Sequence, residues 1–104
     1  FENGMKMEAI NEMKTAISIK PDYASVYNTL GYFFFFINDY VLAEDNFKKA
    51  IELKPTMAEA YNNIAMVAER RGDRGKAIAL FKKAIELKPD YHLAISNLAK
   101  LERE

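Results

Sequence analysis

Apolar positions recur along this chain at helical spacing, in blocks closed by two kinds of stop. Pro21, Pro55 and Pro89 end one set of blocks. Proline cannot continue a helix, because it lacks the N–H and clashes with the preceding turn. Asp22, Thr56 and Asp90 follow them and are read as N-caps of the next helices, with Thr56 and Glu59 in the form of a capping box. Gly4, Asn38 and Gly72 end the other blocks; these residue types tolerate the left-handed conformation that closes a helix. Asp39 and Asp73 then offer caps. The pattern predicts six helices, at roughly 5–19, 22–37, 39–53, 56–71, 73–87 and 90–103. No segment alternates as a strand does.

The stops share one period. Phe47-Lys48-Lys49-Ala50-Ile51-Glu52-Leu53-Lys54-Pro55 returns residue for residue as Phe81-Lys82-Lys83-Ala84-Ile85-Glu86-Leu87-Lys88-Pro89, 34 positions on, and a weaker copy ends at Pro21. A fixed offset of this size marks a repeat array of helical hairpins, none of which buries its apolar face alone. The array divides into residues 1–23 (the second helix of a partial repeat), full repeats 24–57 and 58–91, and a partial repeat or capping helix at 92–104.

The pattern resembles the tetratricopeptide repeat (TPR), with its W-x2-L-G-x2-Y, A-x3-F and late Pro. The first full repeat carries Tyr27, Leu30-Gly31, Phe34, Ala43, Phe47, Ala50 and Pro55; the second carries Tyr61, Ile64-Ala65, Ala68, Ala77, Phe81, Ala84 and Pro89. Ala9, Met13, Ala16 and Pro21 match the end of a repeat, and Ile95, Leu98 and Ala99 the start of one. The resemblance implies an all-α TPR solenoid of antiparallel hairpins in a right-handed superhelix. Small residues (Gly31, Ala65, Ala99, Ala43, Ala77) are expected to let helices approach. Ala68, where Tyr or Phe is usual, implies looser packing, partly offset by Met66 or Val67.

Composition narrows the function. Half the residues are hydrophobic and 29% charged, and the 15 Lys and Arg balance the 15 Asp and Glu. A neutral chain with only a local basic patch (Arg70, Arg71, Arg74, Lys76) does not suit nucleic acid. Cysteine is absent, which removes thiolate chemistry and fits the reducing cytoplasm. The apolar run from Gly31 to Ile37 is too short for a membrane span, so the chain reads as soluble, or as a soluble part of a longer protein. His92 has no second metal ligand near it, Arg71-Gly72-Asp73 is an inter-helix turn, and no catalytic grouping or cofactor motif occurs. The carboxylates Glu44, Asp45, Glu52 and Glu86 read as solvated ion-pair partners on outer faces.

In TPR proteins the first helix of each repeat lines a concave groove. The resemblance places Ser25, Asn28, Tyr32, Phe35 and Phe36 there from the first full repeat, Glu59, Asn62, Met66, Glu69 and Arg70 from the second, and Leu93, Ser96, Lys100 and Arg103 from the last helix. Asn63 and Asn97 sit one position further on and resemble the asparagine ladder with which some superhelices of the family hold a peptide backbone; a structural role is equally open. Asn28 and Ser96 stand where the family's chaperone-tail clamp uses Lys, so that specificity is not implied.

Tyr32-Phe33-Phe34-Phe35-Phe36-Ile37 is the least ordinary stretch. Successive side chains on a helix are about 100° apart, so four phenylalanines cannot share one face. Phe33 and Phe34 are expected in the core, and Phe35 and Phe36 toward groove or solvent. The expected function is a non-catalytic scaffold binding a peptide or protein segment. Two alternatives stay open: homo-oligomerisation through the apolar first helix (Met5, Met7, Ile10, Met13, Ile17, Ile19) and the Phe33–Phe36 patch, and service as an accessory domain of a larger enzyme.

Overall fold

A computed structural model describes residues 23–104. The helix expected at 5–19 lies outside them. Five helices follow: α1 (Ala24–Phe36), α2 (Tyr40–Leu53), α3 (Ala58–Arg70), α4 (Arg74–Leu87) and α5 (His92–Glu102), with no strand among the described residues. α1 pairs with α2 and α3 with α4 as hairpins; α2 then packs on α3, and α4 on α5, so each repeat stacks on the next.

The joints within hairpins form as the sequence predicts. Asn38 takes φ 65° and Gly72 φ 82°. The amide of Asp39 donates to the Phe34 carbonyl (2.9 Å) and that of Asn38 to Phe35 (3.0 Å); Asp73 to Ala68 (2.9 Å) and Gly72 to Glu69 (3.1 Å) repeat the pattern. Both are Schellman closures that satisfy the last carbonyls of α1 and α3. Asp39 and Asp73 then cap α2 and α4 by accepting from the amides of Leu42 and Lys76.

The joints between hairpins differ from expectation. Thr56 and Asp90 do not cap: the N-cap positions of α3 and α5 are Met57 and Tyr91, without a side-chain cap bond. Met57 is buried against Ala50 and Ala60, with Tyr27 and Ile51 alongside. Burial of that apolar side chain, rather than a hydroxyl bond, sets where α3 begins.

Phe47 and Phe81, the same residue of the two identical segments, are both fully buried. Phe47 centres a cluster of Leu30, Phe34, Phe35, Ala43, Ile64 and Val67; Phe81 packs with Ala65, Ala68, Ala77 and Leu101. Gly31 is small for a reason the structure makes concrete. A Cβ there would lie 2.6 Å from Cδ1 of Phe47. Val67 is fully buried and Ala68 is buried against Phe81 and Leu101, at the edge of an open depression of about 340 Å³ that Glu44, Arg71, Asp73 and Lys76 also line. Ala99, unlike its equivalents Gly31 and Ala65, is exposed.

Candidate functional site

The first helices bring several of the predicted groove residues together. Tyr32, Phe35 and Phe36 of α1 and Met66 and Arg70 of α3 line a depression of about 260 Å³, joined by Asn38 of the α1–α2 turn. α1 and α3 come into direct contact here, because they hold equivalent places in consecutive repeats. Tyr32 is 45% exposed and Phe36 48%, and their rings lie 6.0 Å apart.

Phe35 departs from expectation. It is 8% exposed and belongs to the core. Its ring is flanked by Tyr40 at 5.7 Å and Tyr32 at 6.4 Å, and the Arg70 guanidinium lies over it, 5.1 Å from the centroid. The next repeat therefore helps to cover it. Phe34 is buried and Phe33 half-buried, as expected for core positions.

The asparagines are also redistributed. Asn62, expected in the groove, is fully buried. Its carbonyl oxygen accepts from the Asn97 amide at 3.3 Å, and its own amide faces the Met66 sulfur at 3.7 Å. A buried amide is tolerable only with partners, and no buried side-chain N or O among the described residues lacks one. The Asn63 amide donates to Asn28 Oδ1 at 3.0 Å. Both bonds join residues 35 apart and link α1 to α3 and α3 to α5. Thr29, in the place of Asn63 and Asn97, turns its hydroxyl to the Ser25 carbonyl of its own helix. The asparagines thus bond one another between repeats.

Glu69, Arg70, Lys100 and Arg103 are exposed. Glu44 is not the solvated surface acid expected. Its side chain is 16% exposed and pairs with Lys48 at 3.0 Å and with Lys76 of the next repeat at 3.4 Å. Burial alone would raise its pKa, but hydrogen bonds to Lys48 and the charges of Lys76 and Lys48 outweigh it, and the carboxyl sits below its ordinary value. Glu52 and Glu86 do form exposed pairs, with Lys49 and Lys83. Sequence reasoning missed Asn38, whose Oδ1 accepts from the Tyr40 hydroxyl at 3.0 Å. Its turn chemistry was visible; its place on the rim depends on how α1 meets α3.

A family model described as tetratricopeptide repeat matches residues 22–90. The chain belongs to the tetratricopeptide repeat family. As a TPR solenoid it is similar to the crystal structure of MamA, with TM-score 0.85 and 28% identity over 96% of this chain and 58% of that one. A second crystal structure of MamA protein gives TM-score 0.84 at 28% identity, over 96% of this chain and 55% of that one. The chain therefore spans a little over half the length of those TPR structures. The first TPR of Spaghetti (RPAP3), bound to the HSP90 peptide SRMEEVD, superposes with TM-score 0.88 at 19% identity, covering 99% of this chain and 82% of that one; at this identity the likeness is one of fold. No curated relative matches the sequence. TPR domains are in general non-catalytic interaction modules, and no helix among the described residues is long and apolar enough to cross a membrane.

Proposed function

We propose that this TPR solenoid is a non-catalytic, cytoplasmic interaction module that takes a peptide or protein segment on the face lined by α1, α3 and α5. The observation that carries this is the half-exposed pair Tyr32 and Phe36 at the edge of an open depression. Burying a large apolar side chain is favourable by roughly 1.5–3 kcal/mol, so two such rings beside a slot supply affinity to whatever covers them. A structurally similar TPR is bound to a peptide, which supports the same mode here. On this reading the exposed Lys100 and Arg103 continue the face as its charged end. Asn28, Asn62, Asn63 and Asn97 hold the helices that shape it.

The test is selection of binders from a displayed library of random peptides. The wild type should enrich families of related sequences, and the double variant Tyr32→Ser/Phe36→Ser should lose them with its helical circular dichroism unchanged. Retained binding by the double variant would move the site elsewhere, and enrichment of nothing would remove the peptide reading.

A further inference from the structure

We propose that Met66 is an oxidation site: hydrogen peroxide entering the depression converts its thioether to the sulfoxide, the buried Asn62 amide takes the new oxygen, and the slot then holds apolar groups less well. The oxidation stands on geometry alone. Its effect on binding rests on the peptide reading above.

Met57 and Met66 are the methionines among the described residues, and the fold treats them differently. Met57 is 8% exposed and packs against Ala50 and Ala60. Met66 is half-buried and lines the open depression with Tyr32, Phe36 and Arg70. A solute as small as peroxide reaches that side chain without the chain unfolding. Methionine oxidation follows such access.

On its other side Met66 meets a group that suits the product. Its sulfur lies 3.7 Å from Nδ2 of the fully buried Asn62. Asn97 occupies the Asn62 carbonyl oxygen, and the sulfur is the partner of the Asn62 amide. A thioether is a weak acceptor, so this buried donor is poorly served. A sulfoxide oxygen is a strong one. Bonded to the amide at about 2.9 Å through a bent S–O···N angle, it would set sulfur and nitrogen about 3.9 Å apart, close to their present separation. The rotatable bonds of methionine let the oxygen find the amide while the α3 backbone stays in place.

The step balances with peroxide as the co-reactant. A sulfur lone pair attacks one peroxide oxygen, and the S–O bond forms as the O–O bond breaks. The other oxygen leaves as water, carrying both peroxide protons. Sulfur loses two electrons and peroxide gains them. An apolar, flexible side chain thereby becomes polar, and sulfoxide reductases reverse the change. The oxygen accepts more than one hydrogen bond, so beside the amide it also holds water from the slot. An apolar ligand that covers Met66 must strip that water, and binding weakens.

The experiment treats the full chain with hydrogen peroxide and follows each methionine by peptide mapping and mass spectrometry. In the folded protein Met66 should oxidise at least about tenfold faster than Met57, and in concentrated urea the two should react alike. The side-chain amide signal of Asn62 should move downfield as Met66 is oxidised. The urea midpoint of the wild type should hardly change on oxidation, whereas that of Asn62→Leu should fall, because the oxygen has lost its donor. Peptides selected on the wild type should bind the oxidised protein several-fold more weakly, and Met66→Leu, whatever its own affinity, should not respond to peroxide. Folded-state rates for Met66 no faster than for Met57 would overturn the site. An unmoved Asn62 amide, or an equal loss of midpoint in wild type and Asn62→Leu, would overturn the role of Asn62. Unchanged peptide affinity after oxidation would overturn the effect on binding and leave the peptide reading standing. Selection of no peptide would remove that reading, and the mapping and the amide signal would still decide the oxidation.

Discussion

Repeats 24–57 and 58–91 share the second half of their second helix and differ along most of the first. Phe47–Pro55 and Phe81–Pro89 are the same nine residues, and in both copies the Phe is fully buried. Against this constant surface α1 presents Gly31 and Phe34, while α3 presents Ala65 and Ala68. Where α1 buries the Phe34 ring, α3 buries the small Ala68 against Phe81, beside a depression between repeats that Glu44, Arg71, Asp73 and Lys76 also line. On the inner lining α1 offers Tyr32 and Phe36, and α3 answers with Met66 and Arg70. The comparison separates two duties. The second helices keep the array standing, and the first helices carry what differs between one binding surface and another.

The strongest way to break that division is to remove the shared ring. Phe47→Ala and Phe81→Ala should each cost about 3–5 kcal/mol, most of the stability of a domain this size, read as a lower urea midpoint. If Phe81→Ala costs less than half as much as Phe47→Ala, the identical segments are not equivalent and the division fails. Next comes the close approach that only the first repeat has. Gly31→Ala drives a methyl into the Phe47 ring and should cost about 1–3 kcal/mol, whereas Ala65→Gly in the second repeat should cost about 1 kcal/mol through helix propensity. Both are measured by the same denaturation.

The buried amide sharpens the comparison further. Asn62→Ala strands the Asn97 amide and should cost about 1–2 kcal/mol. Its equivalent Asn28→Ala, at a half-buried position that water can reach, should cost under about 1 kcal/mol. A cycle with Asn97→Ala isolates the pair. The smallest effect is at the seam between repeats. Glu44→Gln should lower stability by no more than about 1 kcal/mol at neutral pH. The folded-state pKa of Glu44 is depressed below 4.5, so its contribution is present above that value and is lost as pH falls through the lower, folded one. Wild type and Glu44→Gln should therefore converge in acid, by thermal unfolding across pH 3–7.

The joints and the core of the hairpins were legible because each rests on a residue with few alternatives. Asn38 and Gly72 take a left-handed turn, proline ends a helix, and Phe47 and Phe81 recur with alanines at fixed spacing. Phe35 was not legible. A run of four identical rings carries no contrast between faces, and its burial depends on Arg70 and Tyr40 arriving from other elements. Asn62 was misread because the family's groove stripe assigned its place by position alone, and position does not show that the amide is fully buried against Asn97. The available signal was its recurrence, Asn28 with Asn62 and Asn63 with Asn97, which sets up pairs across the repeat boundary. Thr56 misled because cap chemistry was weighed without the burial of Met57 beside it.

A stack of hairpins is mechanically a coil spring, and its bending is softest where neighbouring turns meet through smooth apolar contact. The two asparagine bonds cross those meeting lines from α1 to α3 and from α3 to α5. Greasy faces slide by small steps at little cost, but a hydrogen bond is directional and tolerates little shear. Each bond therefore acts as a rivet between the first helices of neighbouring repeats. Relative tilt of α1, α3 and α5 is thus restrained by four amides, which no apolar contact between the same helices would do.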